Sequence, residues 1–559
     1  MPTSWYQAIP HILDLLQSEQ PRSILDIGVG FGKYGLLIRD TLEIPFERYT
    51  KQQWICQVDG IEAFANYRNP IHDYVYNKVY YNDVKTIIHD LPTYDLILLI
   101  DVIEHFEKEE GYVLINELLE HTNKCLIIST PLYPAKQKDY NGNYYEEHKS
   151  RWFITDFISF DYSFKYVLIG NNGAQLYNIF KTQYTKDGND YADDIVSITS
   201  GLDIKSKLKI GYLLPHKNLT GGMKMLLENM RMMKSLGHRV YAFLKGAENE
   251  EIIPNWYNDI EIDKKVIVPF GQPFSSYIEE CDVIIAGWMS QIEEAVSTNT
   301  KVPIVYWEQG SEWLFGDYND LLSSSRIRIH MKKCFSFPVS IVSCSPTVAE
   351  ILSVRYGRKS FVIPNGIDTD FYYPSTKSDM KDDGETNILL VGNPQLRFKG
   401  FDVALNALQI VYEKGYKFKV NWVCQVLPNI KGVTYPINYI QMPTQEKLAE
   451  IYRNSDIFIF SSLYEGFGMP PLEALASGVP VISTKCGGIE SFIKPGFNGL
   501  LVEPGDIDSL AYGIIELISN RKLRKLLSER GRQTALDFDA KIIAKKWEEY
   551  LYNIVEANK

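Results

Sequence analysis

A chain of 559 residues exceeds what one hydrophobic core organises and predicts three or four domains of ordinary size. Its 45% hydrophobic and 23% charged residues fit a soluble globular protein, and a net charge of −12 excludes a general nucleic-acid binder, which needs clustered Lys and Arg. Seven dispersed cysteines without a CxxC pair exclude a disulfide framework or zinc knuckle and predict a reducing, cytoplasmic location. The start, Met1-Pro2-Thr3-Ser4-Trp5, lacks a signal-peptide pattern. No apolar run reaches the ~18 residues of a membrane span, which leaves peripheral membrane contact open.

Strands alternate with helical patterns in three blocks, the signature of α/β domains with parallel sheets. The first block (1–183) has strand candidates at Ser23–Ile27, Ile55–Gly60, Lys78–Tyr81, Leu96–Ile100 and Lys124–Ser129. It closes with Phe164–Ile169 and Leu176–Lys181 around Asn171-Asn172-Gly173, read as a hairpin whose turn needs positive φ. A polar linker is expected at 184–207. The second block (208–374) has candidates at Leu208–Leu214, Val240–Leu244, Val266–Pro269, Val283–Ala286, Ile304–Trp307, Ile341–Cys344 and Phe361–Pro364. After a hinge at 375–386, the third block (387–540) has Asn387–Val391, Lys419–Cys424, Tyr439–Gln441, Ile457–Phe460, Val479–Thr484 and Gly499–Val502. A final helix (541–559) is expected to pack back across a cleft between the second and third blocks.

In the first block a strand runs into Asp26-Ile27-Gly28-Val29-Gly30-Phe31-Gly32, where absent Cβ atoms let the backbone approach a nucleotide-like ligand. Gly30, Gly32 and Gly35 also spell GxGxxG, the mark of dinucleotide-binding dehydrogenases. The position of Asp26, suited to accepting from an amino group, and the terminal hairpin count against that reading. With Gly60-Ile61-Glu62, Asn82-Asp83 and Asp101-Val102-Ile103-Glu104-His105-Phe106, the block resembles class I S-adenosylmethionine-dependent methyltransferases over about 180 residues. The resemblance implies a cofactor site of Asp26, Gly28, Gly30, Gly32, Glu62, Asp83 and Asp101. Glu62 would hold the ribose hydroxyls, Asp83 the adenine amino group and Gly28 to Gly32 the amino-acid portion, with Asp101 near the sulfonium. His105 and His148 are candidate bases for a hydroxyl acceptor.

In the third block Glu465 and Glu473 stand eight positions apart around Tyr464-Glu465-Gly466-Phe467-Gly468-Met469-Pro470-Pro471-Leu472-Glu473. A strand, a glycine turn and a helix start suit an anionic phosphate, and carboxylates on either side suit sugar or ribose hydroxyls. Thr220-Gly221-Gly222-Met223, Pro364-Asn365-Gly366-Ile367-Asp368, Leu390-Val391-Gly392 with Lys399-Gly400, and Ala476-Ser477-Gly478-Val479-Pro480 complete a pattern that resembles glycosyltransferase family 4 (group 1), of GT-B fold. The resemblance implies that Glu473 holds the donor ribose, while Glu465 with Phe467, Gly468 and Met469 holds the sugar and phosphates. Lys399 would neutralise the diphosphate, the Gly221-Gly222 loop would approach it from the opposite lobe, and Asn365 would line the substrate site. The family's arginine after the Val-Gly strand end is Asn393 here, and Arg397 is the candidate substitute. Neither block requires a metal on this reading. The turn Trp307-Glu308-Gln309-Gly310-Ser311-Glu312-Trp313 is a candidate acceptor element.

Together these expectations describe a bifunctional glycan-assembly enzyme. It would transfer a sugar with retention from a nucleotide sugar to a saccharide or glycoprotein acceptor, and methylate the glycan with S-adenosylmethionine. The alternatives are a monofunctional glycosyltransferase whose first domain is a cofactor-binding docking module, and a non-catalytic assembly platform. Donor base, sugar, acceptor and oligomeric state are left open.

Overall fold

The structure, a computed structural model, describes residues 6–132, 137–138, 142–169, 172–181, 206–247, 250–254, 256–257, 260–297, 300–318, 324–375, 385–430 and 432–558. The expected linker and hinge, and Asn171, fall largely or wholly outside these residues. The chain forms two compact units. One is Met1–Lys186 with Glu312–His330; the other is Asp187–Ser311 with Met331–Lys559.

The first unit holds β1 (Ser23–Ile27), β2 (Gln57–Ile61), β3 (Lys78–Tyr80), β4 (Tyr94–Ile100), β5 (Thr122–Pro131), β6 (Tyr162–Ile169) and β7 (Asn172–Phe180) in the order β3-β2-β1-β4-β5-β7-β6. Strands β1 to β5 pair in parallel, and β7 is antiparallel to both β5 and β6. Leu96 to Leu99 and Leu126 to Ile128 are fully buried, which explains why the central strands read as unbroken apolar runs. Asn172 and Gly173, expected in the hairpin turn, already pair across to Ile169 and Leu168 as strand residues.

Glu312–His330, expected in the 208–374 lobe, instead packs in the first unit. The Phe164 amide donates to the Gly316 carbonyl at 3.0 Å, Phe164 bridges Asp317, and Arg328 pairs with Asp161 while stacking on Phe180. Gly316 has φ +78°, and a Cβ there would meet the Tyr162 carbonyl oxygen at 2.7 Å, so this crossing needs glycine. Such a contact depends on residues 150 positions away and leaves no local mark.

The second unit carries two all-parallel sheets. One contains β8 (Lys209–Leu214), β9 (Arg239–Lys245), β10 (Lys264–Val268), β11 (Val283–Ala286), β12 (Ile304–Glu308), β13 (Ser340–Ser343) and β14 (Phe361–Val362), in the order β10-β9-β8-β11-β12-β13-β14. The other contains β15 (Thr386–Val391), β16 (Phe418–Cys424), β17 (Ile437–Gln441), β18 (Ile457–Phe460), β19 (Val481–Thr484) and β20 (Leu500–Val502), in the order β17-β16-β15-β18-β19-β20. Both reverse strand order beside their first strand, the switch point where α/β sheets bind ligands.

The last helix, Ala540–Ala557, follows the third block in sequence but buries Ile543, Trp547, Leu551 and Ile554 in the core of the β8–β14 lobe. Trp547 meets Trp307 edge-on at 4.8 Å, so Trp307 is a core residue rather than a sugar platform. Among the described residues no helix is long and apolar enough to cross a membrane.

Trp547→Ala is expected to destabilise the second unit by about 3–5 kcal/mol through transfer and cavity terms. Urea unfolding followed by circular dichroism checks this; an unchanged midpoint would refute the packing assigned to this helix.

Candidate functional sites

A cavity of about 680 Å³ opens at the carboxyl ends of β1, β2 and β4 in the first unit. Gly28, Gly30, Glu62, Asp83, Asp101, His105 and His148 all line it, bringing together most of the residues singled out from sequence. Gly28, Gly30 and Gly32 have φ of +79°, +55° and +86°, and a Cβ on Gly28 would strike Val102 Cγ2 at 2.5 Å. The buried Glu62 carboxylate accepts from the amides of Gly30 and Phe64, each at 2.8 Å, while a His72 ring nitrogen lies 2.9 Å from the Gly30 carbonyl. Burial pushes Glu62 up to about 7, outweighing the two amide hydrogen bonds. Asp83 caps the following short helix through the Lys85 amide at 3.0 Å. Asp101, at φ +53°, accepts from Ser129 Oγ at 2.7 Å.

Two expected residues stand outside the lining. Asp26 is buried and accepts from the Tyr76 hydroxyl at 2.5 Å; that hydroxyl accepts in turn from the Gly35 amide at 3.0 Å. Its hydrogen-bond partner within the protein is a tyrosine, and the pair fastens the glycine-rich turn. Burial raises Asp26 to about 6 although Tyr76 and Lys33 oppose the shift. Gly32 starts the helix Lys33–Leu42, and a Cβ there would meet Ile71 at 2.9 Å.

His105 and His148 lie together with ring centroids 5.1 Å apart. His105 Nδ1 is 3.1 Å from the Glu147 carbonyl, and burial lowers its pKa to about 4. Glu104, quoted in the motif but given no role, is 1% exposed, and burial then Asp101 raise its pKa well above the carboxylate range. Sequence reasoning also passed over Tyr76 and Glu146, whose Oε1 accepts from Tyr67 at 3.1 Å.

Acids held above their ordinary pKa favour the folded state below the unfolded pKa, and this contribution is lost as pH rises through the folded value. For Glu62 that window runs from about 4.5 to 7. Glu62→Gln is therefore expected to gain stability relative to wild type as pH rises from 4.5 to 7.5, by on the order of 2 kcal/mol. Thermal unfolding of both proteins across this range checks it; a constant difference between them overturns it.

In the second unit Thr220 caps the helix Gly221–Ser235 by accepting from the Met223 amide at 3.2 Å. A Cβ on Gly221 would meet nothing within 4 Å, so no contact within the protein demands glycine there. Gln309 Nε2 donates to the Gly222 carbonyl at 3.1 Å. Lys224, one turn into this helix, donates to Glu473 Oε1 at 2.9 Å, and Tyr452 donates to Glu473 Oε2 at 3.0 Å. Sequence reasoning missed Lys224 and Tyr452. A cation in a helix's first turn opposes the macrodipole, which was the available signal for Lys224.

Lys399 Nζ donates to Glu465 Oε1 at 2.5 Å, which also accepts from Ser462 Oγ at 2.9 Å. Gly400, at φ +60°, lets this turn pass the Ser461 carbonyl, which a Cβ would approach to 2.1 Å. Arg397 is exposed on the same turn, and Asn393 Oδ1 accepts from the Gln395 amide at 3.0 Å. Phe467 is buried against Phe492 and Phe538, Gly468 caps the helix Met469–Ala476 at φ +97°, and Met469 packs at the edge of the neighbouring core. Asn365 is buried with Oδ1 unpartnered. Glu308, considered for the acceptor, is instead a buried brace: it accepts from Tyr306 and from the amides of Gly310 and Ser311.

Residues 436–534 match the family Glycosyl transferases group 1. An uncharacterized glycosyltransferase of Methanocaldococcus jannaschii is 26% identical over 242 residues, covering 42% of this chain and 64% of its own. Sucrose-phosphate synthase from Thermosynechococcus elongatus matches in structure with TM-score 0.52 and 16% identity, over 63% of this chain and all of its own. Anabaena HepE in complex with UDP and glucose matches with TM-score 0.51 and 17% identity, over 62% of this chain and 99% of its own. The chain spans less than two thirds of the length of these curated relatives. The second unit has a GT-B-like fold of two Rossmann-type lobes. The match to the group 1 glycosyltransferase family lies within the third block, at residues 436–534.

Lys224→Met leaves the Glu473 carboxylate buried without its cation and is expected to cost the second unit about 3 kcal/mol, with most of it recovered in Lys224→Met/Glu473→Leu. A double-mutant cycle in urea measures this, and purely additive losses would refute a coupled pair.

Proposed function

We propose that the second unit transfers a sugar with retention from a nucleotide-sugar donor to a saccharide or glycoprotein acceptor. The observation that carries this is the pairing of both motif glutamates with lysines, Glu465 with Lys399 and Glu473 with Lys224, beside a helix that begins Gly221-Gly222. A diphosphate would draw on Lys399 and on the amides at this helix start, where no Cβ intrudes. As the bond from sugar to phosphate breaks, negative charge collects on the departing nucleotide, and stabilising it there is the main catalytic work. Ribose hydroxyls would donate to Glu473 and sugar hydroxyls to Glu465. Asn365 Oδ1, buried and unpartnered, offers a further acceptor. The likeness to HepE with UDP and glucose supports a nucleotide-sugar donor.

For the first unit we propose S-adenosylmethionine binding and methylation of the glycan. The cavity lies at the switch point of its sheet, against the positive-φ glycine turn and Glu62. The antiparallel β7 supports this over a dinucleotide-binding fold, whose usual order is six parallel strands. Glu62 keeps lone pairs for ribose hydroxyls, Asp83 would accept from the adenine amino group and Asp101 would face the sulfonium. His105 or His148 would take the acceptor's proton as the methyl passes to oxygen. A second reading, a monofunctional glycosyltransferase whose first unit only binds the cofactor, is favoured by one observation: a His105 pKa near 4 makes a weak base for a hydroxyl.

A thermal-shift panel of nucleotide sugars and S-adenosylhomocysteine tests ligand binding, since ligand at ~100 times its Kd stabilises by about 2.7 kcal/mol. Lys399→Ala is expected to lower sugar transfer about 10²–10³-fold. Label from methyl-labelled S-adenosylmethionine should enter the glycan; label only in protein or lipid refutes glycan methylation, and none at all favours the second reading.

A further inference from the structure

The expectation that no metal is needed meets a cluster that sequence spacing concealed. Glu104 and His105 are adjacent, while His148 lies in a loop 43 positions later, and ligand atoms of all three stand within 4.8 Å of one another. All three line the cavity of the first unit. Glu104 is 1% exposed, and among the described residues its Oε2 has no hydrogen-bond partner. A buried carboxylate oxygen without a donor is costly and calls for a cation or proton that the side chains around it do not supply.

We propose that Glu104, His105 and His148 bind a divalent first-row transition-metal ion. Two imidazoles and one carboxylate are the donor set of Zn²⁺, Fe²⁺ and Mn²⁺ sites rather than of all-oxygen Ca²⁺ sites. The contact of His105 Nδ1 with the Glu147 carbonyl is the kind of outer-shell bond that orients a ligating ring. The backbone also presents the site: the amides of Lys149 and Ser150 both donate to the Glu104 carbonyl, at 2.8 and 3.0 Å, and so hold the His148 loop against the Ile103–His105 turn. Metal–ligand bonds of about 2.0–2.2 Å place donors roughly 3–3.5 Å apart, within reach of modest side-chain rotation. Asp101 and Glu146, also in the lining, add negative charge around the ion. Three protein ligands leave coordination positions open toward the cavity. Resting on the methyl-transfer reading, one of these would take the acceptor hydroxyl oxygen and ease loss of its proton to water, in place of a histidine base.

The test uses the full chain stripped with a chelator and titrated calorimetrically with Mn²⁺ and Zn²⁺. One saturable equivalent is expected, weakened at least tenfold in Glu104→Gln and in His148→Gln, each verified as folded by circular dichroism. Pulsed electron paramagnetic resonance of the Mn²⁺ complex should show coupling to imidazole nitrogen, lost in His105→Gln/His148→Gln. Absence of saturable binding, or binding unchanged in both single variants, overturns the proposal. S-adenosylhomocysteine thermal shifts on the same samples separate the two ideas. Metal binding without stabilisation by that ligand sinks the methyl-transfer reading and leaves the site standing. Stabilisation without metal binding does the reverse.

Discussion

The two lobes of the second unit meet where no side chain fits. A Cβ on Gly310 would lie 2.4 Å from Gly466 Cα, one on Gly466 would lie 2.2 Å from the Gln309 carbonyl oxygen, and one on Gly488 would lie 2.2 Å from the Gly466 carbonyl oxygen. Backbone thus packs on backbone across three segments, an approach only glycine allows. Cys344 adds its thiol to the Gly466 carbonyl at 3.4 Å. On one side of this contact Gln309 reaches the Gly222 carbonyl; on the other, Glu465 takes Lys399. The seam therefore sets the distance between the Gly-Gly helix and the helix bearing Glu473, and the Lys224–Glu473 pair spans it. Glu308 belongs to the same device: by accepting the Gly310 and Ser311 amides it shapes the turn that brings Gly310 to Gly466.

The motif acids of the two candidate sites are treated in opposite ways. In the second, Glu465 and Glu473 are each matched by a lysine and further held by Ser462 or Tyr452. Attraction within each pair offsets part of the cost of taking the two charges out of water. In the first, Asp26, Glu62 and Glu104 are buried without a lysine or arginine bonded to them, and burial raises all three. Asp26 and Glu62 use what hydrogen bonds they have to fasten the glycine-rich turn, one through Tyr76 and one through the Gly30 amide. The first unit therefore lines its cavity with two acids, Glu62 and Glu104, whose charged form burial disfavours.

All twenty strands of the three sheets among the described residues were legible in the sequence to within a few residues, the central ones such as β4 and β11 because buried parallel strands are apolar on both faces. The candidate site was legible where glycine turns follow strands, since positive φ and close approach constrain residue type. What escaped notice has one cause: partners far apart in sequence. Glu312–His330 looks like an ordinary lobe segment until Tyr162 and Phe164 are placed beside it. Asp26 gave no local sign of the tyrosine it holds, because Tyr76 lies 50 positions on. Glu104 hid beside a histidine whose companion is 43 positions away.

The segment Pro364-Asn365-Gly366-Ile367-Asp368 shows how one motif serves connectivity as well as a site. Ile367 exchanges backbone hydrogen bonds with Phe538 and Ala540, at 2.9 and 2.8 Å, where the final helix begins. A Cβ on Gly366 would come within 3.1 Å of Ala540, and Thr369 bonds Asp539. Asp368 holds the turn beyond by accepting the Asp370 and Phe371 amides and reaches Arg231 of the Gly-Gly helix at 3.2 Å. The chain thus passes between the lobes twice at one place, once through this segment and once through the helix that buries Trp547. A crossing fastened so tightly leaves Asn365 little freedom to find another partner for Oδ1. Asn365 is buried in this fastened segment, and among the described residues its Oδ1 has no hydrogen-bond partner, while Asp368 ties the same segment to the helix Gly221–Ser235.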